Sequence, residues 1–215
     1  MSMKRKYDLM YFVGDSWVFA IGQSDYVEKV VTKENRFSDL VSSHYNLPCY
    51  NNGEAGAGNE YITRTLYNDI YKCHRDGLNP FVVMVFSDPW RREIYFKKDN
   101  KLRIISDLTT NFFQEYLLNH YNHDVFCDLS ANLVLQCQTV CDKFNFDYVQ
   151  AWTFTKILEI PFSTNERTLS ERLDIIAGEE GRFYIPSLNT YGHPNILGHR
   201  KIADAFIKKI DELYS

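Results

Sequence analysis

The sequence has no long hydrophobic run, few cysteines and no strong excess of charge, and each of these argues against a class of protein. No stretch of 18 apolar residues occurs, which argues against a membrane-spanning helix. Residues 1–7 are basic and polar, so we expect no secretory leader and a cytoplasmic location. The five cysteines are odd in number and scattered, which predicts free thiols in a reducing compartment and no metal site.

The charged residues likewise point away from a nucleic-acid-binding protein. The net charge is −4, and the 24 lysines and arginines are dispersed along the chain. A broad basic face is therefore not expected, although a local contact with nucleic acid is compatible with this pattern. With 215 residues, of which 45% are hydrophobic, the chain is expected to form one domain spanning residues 1–215. Its oligomeric state does not follow from the sequence.

Short apolar runs alternate with amphipathic segments along most of the chain. The apolar run Phe81–Phe86 is typical of a central parallel strand that is covered on both faces. Further strands are expected at 9–13, 48–50 and 147–153, and helices at 34–45, 60–73, 108–118, 122–144, 168–177 and from about 196 to the end. This order predicts an α/β fold, a three-layer α/β/α sandwich with a central, mostly parallel sheet of flavodoxin-like type. A small β-hairpin insertion is expected near 94–105.

Polar and small residues follow each of the first three strands. Gly14-Asp15-Ser16 follows the first strand, the glycine-rich segment 51–59 follows the second, and Ser87-Asp88 follows the third. Sites in parallel sheets lie at the carboxyl ends of the strands, so these loops are expected to lie close together. A serine held in a tight turn there can act as a nucleophile, whereas the alternative is an ordinary strand-to-loop turn.

Together with a histidine motif near the end of the chain, these loops resemble the SGNH (GDSL-like) hydrolase family. The motifs are Gly14-Asp15-Ser16, Gly56, Ser87-Asp88 and the sequence His-Pro-Asn-x-x-Gly-His at 193–199, and they follow the family order over nearly the full chain. The residues of these motifs are similar to those in the SGNH variants found in large bacteriophages. The resemblance implies a serine esterase of SGNH type, with Ser16 as nucleophile and His193 as general base. It implies no metal and no cofactor.

The resemblance also implies an oxyanion hole, and here the sequence departs from the family. The backbone N–H groups of Ser16 and Gly56 are the expected donors. The family usually adds an Asn side chain after the third strand, where this chain has Ser87, so we consider Ser87 or Asn59 as the side-chain donor.

A second departure concerns the acid of the triad. The family usually has an Asp three residues before the histidine, where this chain has Thr190. His193 must then be oriented by another acceptor, and the candidates are Asp88, Asp174, Asn189 or a backbone carbonyl. Replacing such an acid by an amide costs about 10,000-fold in a serine protease, so weak or absent activity is a real alternative.

Several residues beside the motifs are candidates for binding substrate. Asp15 is expected to brace the serine turn and to border the substrate site, and Trp17 and Trp90 are expected either to stack on a sugar or base or to pack in the core. Arg91 either binds a carboxylate or phosphate or pairs with an acid at the surface. His199 is expected to be structural.

The sequence therefore predicts a serine hydrolase that cleaves a small acyl ester. The substrate class suggested by the family is an O-acetyl group on a carbohydrate or a modified metabolite, so the expected partner is a small-molecule ester or glycan and not a membrane. The alternative is an SGNH-fold ligand-binding or virion-associated protein with little or no activity. A nucleotide-binding module is disfavoured, because Asn59 stands where a P-loop needs Lys and Tyr61 where a dinucleotide fingerprint needs Gly.

Overall fold

In the computed structural model of the protein, a four-stranded parallel sheet forms the centre of the molecule. The structure describes residues 3, 6–19, 33–96, 101–105, 115, 118–154, 164–185 and 190–214. The sheet contains β1 (Leu9–Gly14), β2 (Cys49–Gly53), β3 (Pro80–Phe86) and β6 (Tyr148–Trp152), in the order β2-β1-β3-β6. Every neighbouring pair is parallel, which confirms the predicted α/β class.

Helices cover both faces of this sheet. The described helices are α1 (Ser16–Phe19), α2 (Phe37–His44), α3 (Asn59–Arg75), α4 (His123–Lys143), α5 (Leu173–Ala177) and α6 (Ile196–Tyr214). On one face Phe12 of β1 packs with apolar residues of α2 and α6, and on the other face Val13 packs with those of α3 and α4. Successive strand residues point to opposite faces, so the apolar strands serve two cores and the three-layer sandwich is confirmed.

A β-hairpin follows β3, as the sequence predicts. It consists of β4 (Arg92–Phe96) and β5 (Lys101–Ile105), which pair antiparallel. Two ion pairs attach its first strand to α3: Arg92 pairs with Glu60, and Glu93 pairs with Arg64. The hairpin is therefore fixed to the helix that follows the glycine-rich loop.

Two predictions for the last third of the chain are wrong. The helix expected at 168–177 is reduced to α5, because Thr168 instead forms a parallel bridge with Gln150 of β6. No strand was predicted for the histidine motif, but His193 lies on one, β8 (Thr190–Pro194), which pairs antiparallel with β7 (Arg182–Ile185). Most of the helix expected at 108–118 lies outside the described residues.

All five cysteines are free thiols in the structure. Cys127, Cys137 and Cys141 are buried, and burial raises the pKa of the Cys137 thiol to about 12. No group of three or more His, Cys, Asp and Glu side chains within the described residues is arranged to hold a metal ion. None of the described helices has the length and apolar character needed to cross a membrane.

Candidate active site

The candidate nucleophile, Ser16, lies where β1 gives way to α1. Asp15 forms the turn: its Oδ1 accepts a hydrogen bond from the Trp17 backbone N–H at 3.0 Å, and its own carbonyl accepts from Val18 and Phe19. Gly14 permits the close packing of this turn, because a Cβ there would lie 2.8 Å from the Val85 carbonyl oxygen. The first residue of α1 is thus held at the carboxyl edge of the sheet.

His193 faces Ser16 across the end of the sheet. Its Nε2 lies 2.8 Å from Ser16 Oγ, although the two residues are 177 positions apart in the chain. The start of α6 fixes this segment, since Asn195 N–H donates to the Gly181 carbonyl at 2.8 Å. A Cβ on Gly198 would lie only 2.0 Å from that same carbonyl oxygen, so only glycine allows the contact. The structure therefore brings the two predicted catalytic residues together.

The environment of His193 keeps its imidazole neutral. Burial, and secondly the positive charge of Arg91, lower the pKa of His193 to about 4. Within the described part of the chain, His193 has no hydrogen bond to a carboxylate. Neutral Nε2 at hydrogen-bond distance from a hydroxyl is able to accept that hydroxyl's proton.

The low pKa of His193 leads to a prediction about pH. A base must be neutral to act, so the reaction rate of Ser16 is expected to be nearly constant from about pH 5 to 8 and to fall about tenfold for each pH unit below about 4. The measurement is the rate of Ser16 phosphonylation by a fluorophosphonate over this pH range. An acid limb centred near 6.5, the ordinary pKa of histidine, would contradict the burial of this imidazole.

His199 is a second buried histidine close to the site, and its role is structural. Its Nδ1 accepts a hydrogen bond from the Phe37 backbone N–H at 3.3 Å, and its ring stacks on the Phe37 ring. Burial lowers its pKa to about 3, with smaller contributions from the charges of Arg36 and His193. His199 thus joins α6 to α2 beneath the candidate site.

Asp15 is the centre of a buried polar network. Its Oδ2 accepts hydrogen bonds from Thr153 Oγ1 at 3.1 Å and from Arg91 Nη1 at 3.2 Å, and Arg91 Nη1 also donates to Ser87 Oγ at 3.1 Å. Burial raises the pKa of Asp15, and the charge of Arg91 is the largest effect that opposes this rise. The network joins residues that follow β1, β3 and β6, so it fixes the serine turn relative to the rest of the sheet.

The backbone N–H groups of Ser16 and Gly56 are the predicted oxyanion donors. Neither donates a hydrogen bond within the described residues. Gly56 has φ +74°, a conformation that favours glycine and sets the course of the loop after β2. The last residue of β2, Gly53, packs against the end of α1, since a Cβ on Gly53 would lie 2.4 Å from the Phe19 nitrogen.

The structure corrects the prediction that Asn59 donates to an oxyanion. Its Nδ2 donates to the Ser87 carbonyl at 3.0 Å and to Ser130 Oγ at 3.2 Å, and its Oδ1 accepts from the Ser87 N–H at 2.9 Å. Both amide hydrogens are therefore already bound, and Asn59 is 99% buried. Asn59 instead holds the first residue after β3 by a pair of backbone hydrogen bonds.

Neither of the two candidate carboxylates for orienting His193, Asp88 and Asp174, is hydrogen-bonded to it. Both carboxylate oxygens of Asp174 accept hydrogen bonds from Arg172 at 2.9 Å, so this acid is committed elsewhere. Asp88 is half-buried, its carbonyl accepts from the Arg91 N–H, and it does not contribute to the pKa shift of His193. Asn189 lies outside the described residues.

The predicted substrate-binding residues divide into buried and half-buried positions. Asp15 and Trp17 are completely buried: Asp15 braces the serine turn, and Trp17 follows the second of its two predicted alternatives, since its ring packs in the core, edge-on against Phe154. Trp90 is half-buried, with the Arg91 guanidinium 5.3 Å from its ring centroid. Arg91 is the predicted residue that the structure places beside the reacting pair.

Two residues of the site were missed by the sequence analysis. Thr153, directly after β6, donates to Asp15, and Asn51 of β2 donates to the Val18 carbonyl at 2.7 Å and so anchors the end of α1. Thr153 follows the carboxyl end of its strand, which is the available signal for it, whereas Asn51 lies in the middle of β2, and nothing in the local sequence identifies the partners of either residue.

Comparisons with known proteins agree with the fold. The structure is similar to that of a protein from Desulfitobacterium hafniense assigned to the lipolytic G-D-S-L family, with a TM-score of 0.51 and 9% identity over 94% of this chain and 99% of that one. Weaker likenesses are a G-D-S-L family protein from Veillonella parvula (TM-score 0.49, 10% identity, 95% and 97% covered) and an α/β hydrolase from the metagenome of Lake Arreo, Spain (TM-score 0.44, 15% identity, 97% of each chain covered). No family model and no curated protein matches the sequence.

Proposed function

We propose that this chain is a serine esterase of SGNH type that cleaves a small acyl ester. The observation that carries the proposal is the 2.8 Å separation of Ser16 Oγ and His193 Nε2, because the sequence motifs name the same two residues from opposite ends of the chain. The backbone N–H groups of Ser16 and Gly56, which donate to no other group in the described part of the chain, support it.

The proposed reaction has two halves that use the same groups. Ser16 Oγ forms a bond to the ester carbonyl carbon while its proton passes to His193 Nε2, and the carbonyl oxygen becomes an oxyanion. The ester C–O bond then breaks, and the imidazolium gives its proton to the departing alcohol. A water molecule releases the acyl group in the second half by the same route, with His193 taking the proton of the water.

The acyl group and the alcohol are assigned here by analogy of fold and motif alone. We propose an O-acetyl group on a carbohydrate or a modified metabolite as the substrate, in keeping with the resemblance to SGNH variants of large bacteriophages. The site needs no metal or cofactor for this reaction, because the nucleophile, the base and the oxyanion donors are all side chains or backbone groups of the chain itself.

A second candidate function is a ligand-binding protein that retains the pocket without turnover. The observation that favours it is the absence, within the described residues, of a carboxylate bonded to His193. An imidazolium without such a partner is less stable, and the rate of any reaction that forms it is lower.

A fluorophosphonate separates the two candidates, since it reacts covalently only with an activated serine. For the esterase we expect one adduct by intact mass, located on Ser16 by peptide mass spectrometry, and no adduct on the urea-unfolded protein. A folded protein that gains no adduct after long incubation would favour the binding protein, and the next measurement would be a search for copurified ligand by native mass spectrometry.

A further inference from the structure

Both side chains expected to complete the oxyanion hole are buried. The amide hydrogens of Asn59 are bound to Ser87 O and Ser130 Oγ. The Ser87 side chain is completely buried, and its hydroxyl accepts a hydrogen bond from Arg91 Nη1. A side-chain donor that can reach a bound molecule must therefore come from another residue.

Arg91 has donors that are not in use, and its side chain keeps part of its surface exposed. Its Nη1 is held by Asp15 and Ser87, whereas its Nε is buried without a hydrogen-bond partner, and Nη2 has none within the described residues. A buried donor without a partner is destabilising, so such an atom usually has a partner in the functional state. The guanidinium carbon lies 5.3 Å from the centroid of the Trp90 ring and 5.9 Å from the centroid of the Phe154 ring.

Two contacts and one electrostatic effect place Arg91 close to Ser16 and His193. It bonds to the residue that precedes Ser16, and its positive charge acts on His193. Its backbone lies against the glycine-rich loop, since a Cβ on Gly58 would lie 2.3 Å from the Arg91 carbonyl oxygen. The side chain retains 14% of its surface exposed, so one part of it remains open to a bound molecule.

We propose that Arg91 is the side-chain oxyanion donor of this site, an inference that rests on the proposed esterase function. As Ser16 Oγ bonds to the carbonyl carbon, the C=O electron pair moves to the oxygen, and the free N–H groups of Arg91 bind that oxygen together with the Ser16 and Gly56 N–H groups. The Ser16 proton is at that moment on His193. A cation beside the oxyanion thus takes over part of the stabilisation that a carboxylate beside the imidazolium would give.

The charge of Arg91 has a cost as well as a benefit. It lowers the basicity of His193, and it disfavours the imidazolium. The groups whose charges are coupled to the imidazole are Arg91, on the loop after β3, and His199, on α6. Removing the positive charge is therefore expected to make His193 a stronger base and yet to slow the reaction, because the oxyanion loses its donor. This opposition distinguishes an oxyanion donor from a merely structural arginine.

The test compares Arg91→Met and Arg91→Lys with the wild type. The measurement is the second-order rate constant for phosphonylation of Ser16 by an uncharged fluorophosphonate, between pH 3.5 and 8. We expect Arg91→Met to lower the plateau rate about 100- to 1000-fold and to move its acid limb to higher pH, and Arg91→Lys to lower the rate less. Arg75→Met, which removes an exposed arginine from the end of α3, is the matched control and is expected to react like the wild type.

The Arg91→Met variant leaves Asp15 unpaired, and a second variant is needed if the protein with this single change does not fold. The double variant Asp15→Asn/Arg91→Met removes both buried charges and keeps an acceptor for the Trp17 N–H. A folded Arg91→Met or double variant that reacts within threefold of the wild-type rate would overturn the proposal, and would leave the esterase function intact. A lower rate with an unchanged acid limb would also overturn the proposal, because it would show that Arg91 has only a structural role. Absence of any adduct on the wild type would overturn the esterase function, and this inference with it.

Discussion

The Ser16→Ala variant is expected to lose phosphonylation completely, and the His193→Ala variant is expected to react about 10,000-fold more slowly than the wild type at pH 7. The first loss follows because no other side chain holds a hydroxyl at hydrogen-bond distance from His193 within the described residues. The second follows because a serine hydroxyl without a base is a weak nucleophile. The two effects should not add, since the residues act as one unit.

Exposed residues of the same types provide matched controls for this prediction. Ser43→Ala and His44→Ala change a serine and a histidine on the outer face of α2 and are expected to react at the wild-type rate. The rate constants are measured by quenching the probe reaction at timed points and determining the mass of the intact protein by mass spectrometry. A His193→Ala variant that reacts within tenfold of the wild type would show that another group deprotonates Ser16.

The Asp15→Ala variant is expected to lower the free energy of unfolding by about 3–5 kcal/mol. Removing one partner of a buried ion pair leaves the other charge uncompensated, and Arg91 would also lose its link to the serine turn. The measurement is urea unfolding followed by circular dichroism and tryptophan fluorescence. Asp76→Asn, which removes an exposed acid paired with Arg75, is the matched control and is expected to leave the urea midpoint unchanged.

A double-mutant cycle identifies the cause of that loss. If the unpaired guanidinium is responsible, Asp15→Ala/Arg91→Met should be more stable than the sum of the two single changes indicates, by more than about 1 kcal/mol. Strict additivity would show that Asp15 stabilises the fold through its bonds to Trp17 N–H and Thr153 instead.

The sequence was sufficient to predict the sheet and to name the two candidate catalytic residues. β3 is a continuous apolar run, which indicates a covered parallel strand, and Ser16 and His193 each lie in a recognisable local motif. The meeting of these two residues followed from a family resemblance and not from local pattern. β8 was missed because Thr190–Pro194 contains Gly and Pro and has no apolar alternation.

The supporting residues were beyond the reach of the sequence, because their contacts connect distant segments. Thr153 is 138 residues from Asp15, and Arg91 is 76 residues from it, so no local spacing reports either contact. The same limit explains the error at 168–177. Leu169, Leu173 and Ala177 recur at helical spacing and are all buried, but the first of them lies beside the bridge from Thr168 to Gln150.

Under the proposed function, the place of His193 in the chain makes Ser16 reactive only late in folding. All four strands of the parallel sheet precede residue 153, so the strands and the serine turn are synthesised before the proposed base. That base lies on β8, and α6 covers an apolar cluster that includes Phe12 and Phe37. A fragment that stops short of β8 is therefore expected to contain Ser16 without its base. Covalent labelling of Ser16 is then expected to report that β8 and α6 have reached their native positions.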